Sequence, residues 1–352
     1  MRVLVAGHLC IDFFPMLEQQ PRLEEGALYA VGPMQTRCGG CVYTTGSTLA
    51  GLGHEVLLSA AVGSDALAAL LLDLLAAEQL DTSRFTTTRL STSYSIVTQA
   101  PGRDRTFWHH PGANDAFDGR DLDLAGVDLL HVGYPNLLAA LCVENGTPLV
   151  ELFERARRAG CTTSLDLAVV DVTEPDRVAR WDRLLRRVLP LTDVVTPSVD
   201  DLDAALDWGL PANAEGLSDA ADRLVEAGAA VVLVTAGAVG LQVATADAAR
   251  LAVTGSLAPS LAGHSSVRRL VPAVAVQDVV TTTGAGDVAT AGFLAGLLRG
   301  AGPVVAAELA ATIAARHVSG GSIGAGSIGA GSLGVGSPGA GSLGVGSPGP
   351  DG

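Results

Sequence analysis

The chain has 352 residues, a formal net charge of −15, and 48% hydrophobic but only 4% aromatic residues. An acidic balance without basic clusters argues against a nucleic-acid or anionic-membrane partner, and the core must be built from Ala, Val and Leu. All 22 basic residues are arginine, which excludes Walker-A nucleotide binding, protein-kinase chemistry through a strand lysine, and Schiff-base or pyridoxal chemistry.

Val3 to Ala6 reads as a short buried strand. No charged-then-apolar leader precedes it, and no apolar run reaches membrane-spanning length. Five cysteines (Cys10, Cys38, Cys41, Cys142, Cys161) are odd in number and scattered, so a cytoplasmic protein with reduced thiols is expected. Asp12 lies just beyond the first strand, where ligands of parallel sheets bind; a solvated loop carboxylate is the alternative. Gly39-Gly40 opens a helical stretch that ends at Leu52-Gly53. Cys38-x-x-Cys41 has no second pair or histidine cluster beside it, so it receives no metal or redox role. Val56 to Val62 reads as a strand, and Gly63-Ser64-Asp65 turns into a helix from Ala66 to about Gln79. Ser91 to Gln99 and Arg105 to His110 read as two strands around the turn Pro101-Gly102-Arg103-Asp104. His109 and His110 are expected as exposed strand residues, with reach toward a substrate as the alternative.

From Leu129 onward short apolar strands alternate with helical patterns: Leu129–Val132, Leu149–Arg158, Thr162–Asp166, Arg177–Leu189, Asp193–Thr196, Val199–Leu206, Ser218–Glu226, Ala230–Thr235. That alternation implies a parallel, doubly wound sheet covered on both faces. Ser198 suits a helix N-cap, with Asp200 and Asp201 in the first turn. The strand ending at Thr235 is followed by Gly237 and Gly240, a pattern that any strand leading into a hairpin also shows. Arg268 and Arg269 stand just before the expected last strand, and approach to a nucleotide is open to them, with no geometry fixed by the sequence. An apolar, β-branched approach (Val271 to Val276, then Val279-Val280) runs into Thr281-Thr282-Thr283, then Gly284-Ala285-Gly286-Asp287 and a helix of small residues. Glycines there leave backbone N–H groups bare at a helix N-terminus, which suits a phosphate. A carboxylate beside such a site suits removal of a proton from an attacking hydroxyl. Val304 to His317 reads as a final helix. Ser322 to Gly346 is a five-residue Gly/Ser repeat, so about 319–352 is expected to be a disordered tail.

The Thr281–Asp287 stretch resembles the second signature of the ribokinase-like (PfkB) carbohydrate and nucleoside kinases, whose core is Asp-Thr-Thr-Gly-Ala-Gly-Asp; Thr281 stands where the family has its leading Asp. Gly39-Gly40 and Leu52-Gly53 match the first signature, with Thr44 at the family's Asn. The resemblance implies a three-layer α/β/α domain over residues 1–318, with a mostly parallel central sheet. A small β-sheet lid would be formed by segments of about 12–38 and 85–112. It implies transfer of a phosphoryl group from ATP, with Mg2+, to a hydroxyl of a sugar or nucleoside. Asp287 would be the catalytic base and Gly284, Ala285 and Gly286 the anion hole. Asp12, Gly39, Gly40 and Thr44 would hold the acceptor, and Thr235, Gly237 and Gly240 the nucleotide. Ser198 and Asp201 fall on the family's Asn-x-x-Glu, which gives Asp201 a water-mediated metal role. A K+ site beside the anion hole and a homodimer through the lid are further implications. A non-catalytic sugar- or nucleoside-binding protein is the alternative, given the replacements at Thr44, Ser198, Asp201 and Thr281. A dehydrogenase reading of Gly284-x-Gly286-x-x-Ala289 fails, because Glu308 lies in a helical pattern rather than at a strand end.

Overall fold

The computed structural model describes residues 1–19, 24–100 and 105–323. Fourteen strands are found among them: β1 Arg2–Gly7, β2 Cys10–Pro15, β3 Met34–Gly39, β4 Glu55–Ser59, β5 Ala61–Val62, β6 Thr86–Thr87, β7 Tyr94–Thr98, β8 Thr106–His110, β9 Leu129–Gly133, β10 Thr162–Leu165, β11 Val194–Val195, β12 Val231–Thr235, β13 Gly240–Thr245 and β14 Arg268–Pro272. The helices are α1 Cys41–Gly51, α2 Ala66–Ala77, α3 Ala139–Arg158, α4 Arg177–Val188, α5 Val199–Leu206, α6 Ala214–Glu226, the short α7 Ala248–Leu251 and α8 Ala258–Leu261, then α9 Ala285–Leu298 and α10 Pro303–Val318.

Eight strands form one sheet in the order β14-β13-β12-β11-β10-β9-β1-β4, parallel from β4 through β12 and antiparallel at the β13 and β14 edge. Successive side chains of a strand point to opposite faces, and both faces here are apolar. Val3 and Val5 join one core with α1, α9 and α10, whereas Leu4 and Ala6 join the other with α3, α4 and α6. The same division separates Val231 and Leu233 from Val232 and Val234. Each such Val or Leu side chain contributes about 1.5–3 kcal/mol on burial, and this explains why unbroken Val/Leu runs form the central strands. The result is a three-layer α/β/α molecule.

A second sheet, β3-β2-β7-β8, forms the small lid. β2 leaves β1 after only two residues, and its Asp12 lies opposite Arg37 on β3 and Ser95 on β7. The expected hairpin strands appear at β7 and β8; the turn 101–104 lies outside the described residues.

Some expectations are corrected. The single strand 56–62 is two, because β4 pairs with β1 in the large sheet whereas β5 pairs with β6 in a small one. The helix expected from Leu149 begins earlier as part of α3, which is interrupted by non-helical backbone at Val143 to Gly146. Arg268 and Arg269 lie within β14 rather than before the last strand, and Arg268 pairs with Asp222 of α6. The apolar approach is no strand beyond Pro272: Val279 and Val280 are 65% and 68% exposed. Of the expected tail, residues 319–323 are described. Ile323 packs against the core, with its carbonyl oxygen beside Gly51; residues 324–352 lie outside the described residues.

Candidate active site

Strand order reverses between β1 and β9, where Gly7 lies opposite Gly133 at the carboxyl ends. A crevice outside such a switch point is where open α/β sheets bind ligands. Two helices start there. α1 begins after Gly40 and α9 after Gly284, both with positive φ (87° and 77°) and neither with a side-chain cap. A side chain at Gly284 would be strained by this φ and would also press on Thr44, whose Cγ2 lies 3.1 Å from the position of a Cβ. The two glycines therefore let the helix starts lie close together with no side-chain cap on either; in α1 the Val42 N–H is taken by the His8 carbonyl at 3.1 Å. Ala285 N–H closes a turn onto the Thr282 carbonyl at 3.3 Å. Gly286 is exposed, and a Cβ there would meet nothing within 4 Å.

Asp287, in the first turn of α9, is 7% exposed. Its Oδ1 accepts from Thr45 Oγ1 at 3.2 Å and from the Tyr134 hydroxyl at 2.5 Å. Burial pushes its carboxyl up to about 6, with the charges of Asp201 and Asp12 adding to the rise and the two hydroxyl donors opposing it. Asp166, at the end of β10, is raised well above the usual carboxylate range by burial and then by the charges of Asp287 and Asp201. It accepts from Leu167 N and Thr290 Oγ1.

Asp12 is buried on β2, and its carboxyl is raised by burial. Its Oδ2 lies 2.2 Å from where a Cβ of Gly39 would be, so only glycine leaves this carboxylate its place. A Cβ at Gly40 would fall on the His8 carbonyl and ring. These four residues, Asp12, Gly39, Gly40 and Thr44, thus meet at the switch point beside Gly284.

Ser198 caps α5 with Asp201 in a reciprocal capping box: Ser198 N and Oγ both donate to Asp201 Oδ2, at 2.9 and 2.6 Å. Burial pushes Asp201 up to about 6. Ser198 also bridges to Thr235 at the end of β12, which brings the expected metal and nucleotide residues together. Gly237 is exposed with φ +47° and open space beside it, whereas Gly240 is buried, and a Cβ there would strike the Val271 carbonyl at 2.3 Å. The glycine at 240 is therefore required by the β13–β14 contact. Among the described residues no three His, Cys, Asp or Glu side chains converge to hold a metal ion.

Several groups at the site are not singled out by the sequence motifs: Thr45, Tyr134, Asp166, His8 and Arg105. Arg105, opening the lid strand, donates to Thr282 Oγ1 at 2.7 Å and eases the charge of Asp201. His109, expected as exposed, is half-buried with its ring against His8. His317 of α10 bonds the Thr283 carbonyl at 2.7 Å, which ties the loop before Gly284 to the last helix. A Gly-x-Gly motif with polar partners brought from residues 8, 45, 105, 134, 166 and 317 is legible only through topology. The one available signal was the adjacency of Thr45 to Thr44. Glu308 lies inside α10, with no strand between it and α9.

The model of the pfkB family carbohydrate kinases matches residues 1–327. No curated protein matches the chain significantly. Solved structures do. Arabidopsis thaliana ribokinase complexed with ribose and ATP is similar with a TM-score of 0.68 at 19% identity, covering 90% of this chain and 92% of that one. Burkholderia thailandensis nucleoside kinase in complex with inosine gives 0.64 at 18%, covering 90% and 91%. Ribokinase from Cryptococcus neoformans in complex with ADP gives 0.64 at 21%, covering 92% and 95%.

Proposed function

The chain belongs to the pfkB family of carbohydrate kinases, and on that premise we propose that it transfers the γ-phosphoryl group of ATP to a hydroxyl of a sugar or nucleoside. The observation that carries this reading is a buried carboxylate, Asp287, one residue beyond an exposed glycine at an uncapped helix start.

Asp287 takes the proton of the acceptor hydroxyl as its oxygen attacks phosphorus; the bond from phosphorus to the bridging oxygen breaks and its electron pair leaves with ADP. A carboxyl with a pKa of about 6 is ionised at neutral pH and still basic enough to serve. Gly284 and the N–H groups at the start of α9 (Ala285, Gly286, Asp287) meet the charge on the transferring group, which positioning and electrostatics must carry in such chemistry. Asp12, Gly39, Gly40 and Thr44 hold the acceptor, and Thr235, Gly237 and Gly240 form the nucleotide side. Lid closure excludes water and suppresses hydrolysis of ATP. Arg105 brings the lid's positive charge toward Thr282.

Mg2+ fits the residues present. It commonly keeps several waters and binds one or two carboxylates plus phosphates, and among the described residues Asp201 Oδ1 has no hydrogen-bond partner while Oδ2 holds Ser198. It would supply charge neutralisation of the phosphates there. K+ fits less well: Thr281 brings no charge, and its Oγ1 accepts from Thr283 N at 3.3 Å. No step is derived through it. A kinase domain of residues 1–318 with a repeat tail, a cytoplasmic setting and a homodimer through the lid complete the reading. No helix among the described residues is long and apolar enough to cross a membrane.

The test is a coupled ADP-release assay with Mg-ATP against sugars, sugar acids and nucleosides, starting with ribose and inosine, run on wild type and Asp287→Asn together. Turnover with one acceptor, lost in the variant, supports the kinase. Binding without turnover across the panel sinks it and leaves a binding protein that retains the fold.

A further inference from the structure

We propose that His8, from the core, and His109, from the lid, form a clamp for the hydroxyl groups of an uncharged acceptor. This deepens the kinase reading: that reading sets the acceptor's fate, whereas the clamp concerns its binding.

His8 follows β1 at the switch point and is 3% exposed, yet neither of its ring nitrogens has a partner among the described residues. Leaving a buried polar atom unsatisfied costs about 1–3 kcal/mol, which a ligand hydroxyl bonded to it would recover. His109 Nε2 is in the same condition. Its other nitrogen is bonded to Ser95 Oγ at 3.1 Å; Ser95 approaches Cys10 Sγ at 3.9 Å, and Cys10 bonds Asp12 Oδ1 at 3.3 Å. The lid ring is thus oriented by a chain of groups ending at the expected acceptor-binding carboxylate.

The two rings lie 5.1 Å apart, and on its other side His8 lies 5.6 Å from the ring of Tyr134. The Tyr134 hydroxyl holds Asp287. Lid, His109, His8, Tyr134 and Asp287 therefore form a continuous row from the cover to the base. The unpartnered imidazole nitrogens along that row are shut away from solvent here, so an acceptor reaches them when the lid swings open and takes its place between lid and base.

The charge balance selects the class. Burial lowers both imidazoles below their ordinary range, with each also disfavoured by a neighbouring histidine. A neutral imidazole offers one donor and one acceptor, which matches a hydroxyl and leaves an anion uncompensated. Asp12 and Asp287 add negative charge. Arg37, opposite Asp12 on β3, is exposed; it bonds Gln35 and lies over Phe14.

The test is titration calorimetry without nucleotide, using ribose, inosine, gluconate and fructose 6-phosphate, on wild type, His109→Phe and His109→Gln. Thermal melting checks that each variant is folded. Ribose or inosine is expected to bind while both anions fail; His109→Phe should weaken that binding at least tenfold, and His109→Gln should recover part of it. In the ADP-release assay the KM for ATP should stay within about twofold in both variants. Tighter binding of either anion, indifference of binding to His109→Phe, or failure of both neutral probes overturns the clamp. Binding that depends on His109 without ADP release rejects the kinase and keeps the clamp. ADP release with an acceptor KM indifferent to His109 does the reverse.

Discussion

Asp287 is held in a state that costs stability. The rise of its carboxyl to about 6 corresponds to roughly 3 kcal/mol in favour of the protonated form. Because the folded value lies above the unfolded one, that favourable contribution is complete below about pH 4 and is lost as pH rises through about 6. Asp287→Asn should therefore melt higher than wild type at pH 8, with the gap closing toward pH 4, as differential scanning calorimetry at several pH values would read. Turnover should fall about 10²-fold or more in the same variant. A variant that is both less stable and nearly as active would remove Asp287 as base. Its neighbour tests the anion hole without touching the base. A methyl at Gly286 meets nothing within 4 Å and gains up to about 1 kcal/mol of helix propensity, yet it adds bulk at the exposed start of α9, where the phosphoryl group is proposed to pass. Gly286→Ala is expected to keep or raise the melting temperature while lowering kcat at least tenfold. Unchanged kcat would show that no phosphoryl group passes there.

α9 carries these residues, and its position depends on how closely it approaches α10. Gly292 and Gly296 face Ala310 and Ala306; a Cβ on Gly296 would lie 2.7 Å from Ala306 Cα, a backbone atom that cannot swing aside. Gly296→Leu should push the helices apart and lower stability by about 2 kcal/mol or more, read from urea unfolding; no loss would mean the helices are not in that contact. At this scale much was legible beforehand. Val3–Ala6, Leu129–Val132 and Val231–Val234 are runs buried on both faces, and their alternation with helical patterns points to a parallel sheet between helix layers. Ser198 as an N-cap follows from its own side chain. Other features were hidden because partners distant in the chain decide them. The strand 56–62 is divided by pairing with β1 on one side and β6 on the other. Val279 and Val280 look like a strand but have no strand beside them among the described residues, and Val280 N–H bonds the end of a helix instead. His109 was misread because period-two alternation says which side of β8 it occupies but not that His8 lies across from it.

Across the whole molecule, the site is a junction of segments separated by as many as three hundred residues, and its last component comes from the end of the described chain. The Val318 carbonyl, closing α10, accepts the N–H groups of Val280 and Thr281 at 2.8 and 3.2 Å. Gly320 packs against the Val280 side chain, Gly321 N–H returns to the Arg316 carbonyl, and Ile323 reaches the core. Residues 319–323 therefore hold from outside the loop that His317 holds from inside through Thr283. A chain ended after Val318 loses this outer brace and gains a carboxylate beside the loop, whereas one ended after Ile323 keeps the brace. The shorter chain should melt several degrees lower, and its kcat should fall more than its KM for the acceptor rises, because Asp12, Gly39 and His8 are untouched. If the two truncations match in melting temperature and kcat, the brace is incidental, and the anion-hole loop is set by α9 and His317 alone.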